Sequence, residues 1–126
     1  MLGRPAREGE AVTSQGHPYG IFRKAIRRGN VLAAVAAARE LPQLSLVDAL
    51  DLTLLAARRD PVRHPRVAAR WLARYLDEHP AATIEQAALA ATCLAALPGA
   101  SHREDAETLR TMAEAATSRR RTQGLA

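Results

Sequence analysis

Apolar residues recur along most of the chain at intervals of three or four positions, which is the spacing of amphipathic helices. The stretch Ser45 to Arg59 departs from this pattern, because its apolar residues fall on nearly every side of a helix and leave only a narrow polar strip. Its apolar positions are Leu46, Val47, Leu50, Leu52, Leu54 and Leu55. Such a helix belongs inside a packed group of helices. We therefore expect it to be the central helix of an all-α domain.

Five further helices are predicted from the same spacing, from glycine and proline stops and from capping signals. We expect them over 18–28, 31–40, 65–78 and 84–97, with a last one opening after Ser101. Capping boxes are predicted for the pairs Ser45 and Asp48, Thr83 and Gln86, and Ser101 and Glu104. The alanine-rich helix over 84–97 is expected to be buried on more than one side. Short connections between the helices favour antiparallel neighbours, so the fold is predicted to be all-α, a compact bundle or short stack of about six antiparallel helices.

Three segments are expected along the chain. Residues 1–17 lack periodicity and are rich in small and polar residues, so a disordered N-terminal segment is predicted. Residues 18–118 are long enough for a single helical domain, and 119–126 form a basic C-terminal tail that is expected to fray.

Composition narrows the function classes only slightly. The net charge is +5, which favours acidic partners, yet Lys24 is the only lysine among 18 basic residues and arginine enrichment is typical of GC-rich coding. The single cysteine, Cys93, excludes an intrachain disulfide. No secretory signal or run of about 20 apolar residues is present, so we expect a cytoplasmic protein without membrane contact.

Three stretches carry a resemblance to a known group of proteins: RRGNVLAAVAAAREL, the DAL of the central helix, and ARWLARYL. Over about Ile21 to Leu97 the chain resembles small all-helical proteins of unknown function from GC-rich bacterial genomes. The resemblance implies an all-helical fold in a bacterial protein, and it brings no activity and no site with it.

The most suggestive polar pattern is a series of arginines spaced three, four and four residues apart, which align on one helix face. These are Arg63, Arg66, Arg70 and Arg74. Like charges on one face favour a phosphate backbone or an acidic partner as ligand. The alternative is a solvated face whose charges are balanced by acids of the same or a neighbouring helix. A second basic face, over 23–28 in the first helix, has the same two interpretations.

No other pattern predicts chemistry. Asp48 is expected to act in a cap and Asp51 to meet an arginine of a neighbouring helix, while Cys93 is expected to be a buried, inert thiol. The four histidines lack metal-ligand spacing, and no phosphate loop or nucleophile motif is present, so we predict no cofactor, no metal and no catalytic residue. Trp71 and Tyr75 could stack bases, but we interpret them as the large anchors of the core.

The leading hypothesis is a non-enzymatic helical module for protein interaction or self-association, with a protein partner or a homo-oligomer. It predicts that an apolar patch remains exposed if the helix over 84–97 cannot bury both of its sides. The alternative is a nucleic-acid-binding accessory protein that uses the arginine-lined helix.

Overall fold

In a computed structural model of the chain, residues 17–125 are described, with side chains described for 17–122. This part of the chain is all-α, as predicted, with six helices and no strand. They are α1 (His17–Arg28), α2 (Val31–Arg39), α3 (Leu46–Arg59), α4 (His64–Glu78), α5 (Ile84–Ala96) and α6 (His102–Leu125). The predicted disordered segment falls on residues 1–16, outside the described part, and on His17, which opens α1.

The chain divides into two compact units between Leu44 and Ser45, within the stretch predicted as one domain. The first contains α1 and α2, which pack together as a helix pair. Gly29 has a φ of 75° and ends α1 as predicted, because it lets the amide of Asn30 donate to the carbonyl of Ala25 at 2.9 Å. Asn30 then caps α2 through its side-chain oxygen, which accepts from the amide of Ala33 at 3.1 Å.

The second unit is a bundle of four helices. Each of α3, α4 and α5 packs against the next helix along the chain, and α6 packs back against α3. Its largest fully buried side chains are Leu50, Thr53, Trp71, Tyr75, Leu97 and Leu109. The indole nitrogen of Trp71 donates to the carbonyl of Leu46 at 3.0 Å, so this aromatic ring also ties α4 to the start of α3.

Capping explains where the bundle helices begin. The hydroxyl of Ser45 accepts from the amide of Asp48 at 3.0 Å at the start of α3. Thr83 and Gln86 form the predicted capping box of α5, with each side chain accepting from the other residue's amide. The third capping box was predicted to pair Ser101 with Glu104. In the structure the Ser101 hydroxyl instead donates to the carboxylate of Asp105 at 2.5 Å.

The last helix is longer than the sequence predicts. It runs through Leu125, so most of the tail expected to fray over 119–126 is helical. Arginine has a high helix propensity. In addition, Arg120 lies 3.4 Å from the carboxylate of Glu78 on α4, an ion pair that sequence periodicity does not reveal.

Candidate association surface

Helix α4 carries two apolar stripes rather than one. The inward stripe is buried and consists of His64, Ala68, Trp71 and Tyr75. The second stripe has the same spacing one residue later and consists of Pro65, Ala69, Leu72 and Leu76. Pro65 and Ala69 are exposed, Leu72 is half-buried and Leu76 is 38% exposed. Successive residues are rotated by about 100° around the helix axis. The second stripe therefore lies beside the buried stripe rather than on the opposite side of the helix.

Helix α5 is buried on one side only, so the expectation that it is buried on several sides is wrong. Its core side consists of Ala90, Cys93 and Leu94. The opposite side is exposed and apolar, and it consists of Ile84, Ala88, Ala91 and Ala95. Ile84 is 84% exposed. Alanine provides too little apolar area to require burial on every side of a helix, and the bundle has neighbours for α5 on two flanks only.

We call the second stripe of α4 and the exposed apolar side of α5 together the α4–α5 surface. It is made of Pro65, Ala69, Leu72, Leu76, Ile84, Ala88, Ala91 and Ala95. The helices α4 and α5 are joined by a short connection, so they run antiparallel and their stripes lie side by side. Where α4 begins and α5 ends, a groove of about 430 Å³ separates them, lined by apolar residues that include Pro61, Ala69, Leu72, Ala91 and Pro98. Exposed apolar residues lining a groove are a common feature of sites that bind other proteins or ligands.

One polar side chain lies within this groove lining. His64 is 4% exposed, and its Nε2 atom has no hydrogen-bond partner among the described residues. Burial lowers the pKa of His64 below its usual value, and the nearby His102 lowers it further. The ring is therefore held in its neutral form at neutral pH. It contributes shape to the groove wall and adds no charge to the α4–α5 surface.

The four predicted arginines do not act as one set. Arg63 pairs with Asp60 at 3.0 Å, and Arg74 pairs with Glu78 at 2.6 Å. Arg66 and Arg70 are exposed, and neither forms an ion pair with another described residue. The balancing acids that the sequence offers as the alternative are thus present at both ends of the series, with Glu78 in α4 itself and Asp60 at the end of α3.

The aspartates occupy structural positions. Asp51 on α3 meets Arg110 on α6 at 3.2 Å, which confirms the predicted pairing with an arginine of another helix. Asp48 lies in the first turn of α3, where its negative charge interacts favourably with the positive end of the helix dipole.

Other singled-out residues are part of the core. Cys93 is 5% exposed, and its burial together with the neighbouring Asp105 raises its pKa, which disfavours the reactive thiolate. Trp71 and Tyr75 are each 2% exposed and stack with ring centroids 5.4 Å apart, so they are core anchors as interpreted and have no free face for a base. Across the described residues, no three histidine, cysteine or acidic side chains converge as metal ligands.

Sequence reasoning missed the second stripe of α4. It assigned Leu72 to the buried side, and Leu72 is indeed half-buried against the core, but with Ala69 it also lines the groove beside α5. The signal was present as a second run of apolar residues at helical spacing, displaced by one position from Trp71 and Tyr75. Small residues such as Ala69 are ambiguous in this respect, because they occur both inside and outside proteins.

Comparison with known proteins gives no relative from which a function could be carried over. None of the described helices is long and apolar enough to span a membrane. The chain matches no protein family, no curated protein and no solved structure.

Proposed function

We propose that the chain is a non-enzymatic helical interaction module that binds a protein surface, either another protein or a second copy, through the α4–α5 surface. The observation that carries the proposal is the exposed apolar side of α5, with Ile84 at 84% exposure and alanines over the following turns. Association would remove this area from water, at a gain of roughly 25 cal/mol per Å² of apolar surface before the entropic terms. Alanines also let a partner helix approach closely, which increases contact between the backbones.

The groove supports the same proposal. A helix or loop of a partner could place an apolar side chain between Ala69 and Ala91, where the groove volume is about 430 Å³. Peptide helices commonly bind such grooves through apolar residues spaced three and four positions apart. The neutral ring of His64 keeps a charge out of this contact.

The nucleic-acid alternative has less support. Two of the four arginines that suggest it are paired with acids of the same chain, at Asp60 and Glu78. Phosphate binding through Arg66 and Arg70 would give an affinity that falls steeply with salt and is lost in the double variant Arg66→Ala/Arg70→Ala. We expect no such binding, because two exposed arginines release few counterions.

The proposal is tested by the size of the chain in extracts of its native cells. The parent chain is expected to elute from a sizing column above its monomeric mass of 13.6 kDa. Ala91→Glu should shift it to the monomer position, because a carboxylate on the α4–α5 surface would have to be buried without a partner.

Ala115→Glu is the matched control. Ala115 is exposed in the middle of α6, so the change has the same chemistry in a similar helical setting. It should leave the elution of the chain unchanged. Elution of the parent as a monomer, or equal shifts for the two variants, would contradict the proposal.

A further inference from the structure

The positive charge of the chain is concentrated in its first compact unit, which contains the helix pair of α1 and α2. Between residues 17 and 44, five lysine and arginine side chains are accompanied by a single acid, Glu40. Residues 45–126, which form the second unit, contain eleven basic and ten acidic side chains. A coding bias toward arginine would act on both units alike. It accounts for the abundance of arginine, but not for the lack of acids in the helix pair.

Three of these cations form one exposed face of α1, which we call the α1 cationic face. Its members are Lys24, Arg27 and Arg28, and their spacing of three and four residues places them on the same side of the helix. All three are exposed, and none forms an ion pair with another described residue. Helix α1 contains no acidic residue. The charge of this face is therefore not balanced within its own helix, unlike that of the arginines at the two ends of the α4 series.

The apolar side of α1 is already used within the protein. Phe22 is fully buried and Ala25 is 5% exposed, in a helix that packs on α2. The exposed apolar residues Tyr19 and Ile21 are two positions apart, so they lie on different sides of the helix and form no second stripe. Basic helices that bind membranes insert an apolar side into the lipid. Since α1 has no such side to offer, its cationic face fits a polyanion in water better than a membrane.

Duplex DNA has the charge spacing that the α1 cationic face requires. Lys24 and Arg28 are about 6 Å apart along the helix axis, and each DNA strand carries a phosphate about every 3.4 Å of duplex. Three neighbouring phosphates are therefore within reach of the three side chains, and both lysine and arginine bind phosphate. The major groove of B-DNA admits an α-helix, whereas that of duplex RNA is deep and narrow. Single strands are bound largely by stacking on exposed aromatic side chains, which this face lacks.

We propose that the α1 cationic face, formed by Lys24, Arg27 and Arg28, binds the phosphate backbone of duplex DNA. This inference goes beyond the proposed function, because it concerns the first unit and none of its residues belongs to the α4–α5 surface. Contact with three phosphates gives a slope of about −2.7 for the logarithm of affinity against the logarithm of salt concentration. Counterion release alone then gives a dissociation constant of tens of micromolar at about 20 mM salt.

Salt-dependent binding of a short labelled DNA duplex to the full purified chain tests the inference by fluorescence anisotropy. Between about 20 and about 100 mM salt, the affinity of the parent should fall about 70-fold. Arg27→Gln/Arg28→Gln should weaken binding at low salt at least about a hundredfold, because only one cation of the face remains. Glutamine has nearly the helix propensity of arginine, so this change preserves α1. Arg27→Lys/Arg28→Lys retains both charges and should keep the salt dependence of the parent.

The matched control is Arg66→Gln/Arg70→Gln. It removes two exposed helical arginines that form no ion pair with another described residue, and it changes the net charge equally. It should leave the affinity and its salt dependence unchanged, because Arg66 and Arg70 lie in the nearly neutral second unit. Single-stranded DNA, duplex RNA and phosphatidylcholine–phosphatidylserine vesicles are measured beside the duplex, and each should bind more weakly.

Three results would overturn the inference. The first is a parent chain that does not bind the duplex at about 20 mM salt, where electrostatic contact is strongest. The second is an equal loss of affinity in the two glutamine variants, which would make net charge the cause rather than the α1 cationic face. The third is tighter binding to single strands, duplex RNA or vesicles than to duplex DNA, which would assign the face to a different polyanion.

Discussion

His64 is one of three buried polar residues among those the structure describes, and its Nε2 atom has no hydrogen-bond partner there. The Thr53 hydroxyl, by contrast, donates to the carbonyl of Ala49 at 2.9 Å. An unpaired buried polar atom destabilises the folded state by its lost hydration. His64 also lines the groove between α4 and α5. The residue that lowers the stability of the fold is therefore part of the groove wall.

The protonation of His64 should make the fold acid-sensitive. Its folded-state pKa lies below the unfolded value of 6.5, so below that pH the unfolded chain binds more protons and the free energy of unfolding falls as pH decreases. His64→Leu should remove this part of the decrease between pH 7 and 5, and it should raise stability at pH 7 by about 1 kcal/mol, because the unpaired atom is gone.

Urea unfolding as a function of pH measures both effects. His17→Leu is the control, because His17 is exposed at the start of α1, and it should retain the acid sensitivity of the parent. If His64→Leu keeps the full decrease in stability toward pH 5, the stated role of His64 burial is wrong.

At the scale of helices, the sequence predicts where an element begins better than which sides it buries. Capping depends on residues within one turn, and Thr83 with Gln86 is readable from spacing alone. Burial depends on neighbours that are distant in sequence. Helix α5 shows the difference, because its alanines fit a helix buried on several sides as well as one with an open face.

Loss of the Thr83 cap should weaken α5 measurably. Thr83→Ala removes the hydroxyl that accepts from the amide of Gln86 at 3.1 Å, and we expect a loss of about 1 kcal/mol in the free energy of unfolding. Thr92→Ala is the matched control on the same helix, since Thr92 is exposed, and its effect should stay within about 0.5 kcal/mol. Denaturant unfolding measures both, and equal losses would argue against a specific role of the cap.

At the scale of the whole chain, the spacing of apolar residues predicts the all-helical fold, but it does not predict the α4–α5 surface. The sequence predicts that Asp51 pairs with an arginine, because a carboxylate on a largely buried helix needs a cation nearby. It does not predict that the arginine is Arg110, because that depends on how α3 packs against α6. The arginines near 63–74 attract attention in the sequence, yet Asp60 and Glu78 neutralise two of them. The α4–α5 surface emerges only when two separate stripes become adjacent.

The most direct test of the α4–α5 surface is photo-crosslinking in native cells. A photoreactive amino acid replaces Ala91 on this surface or, as control, Thr111 on the outward side of α6, both of which are exposed. Irradiation should give a covalent adduct from position 91, with its protein partner identified by mass spectrometry, and little or none from position 111. Absence of an adduct at position 91, or equal adducts from both positions, would contradict a role of this surface in association.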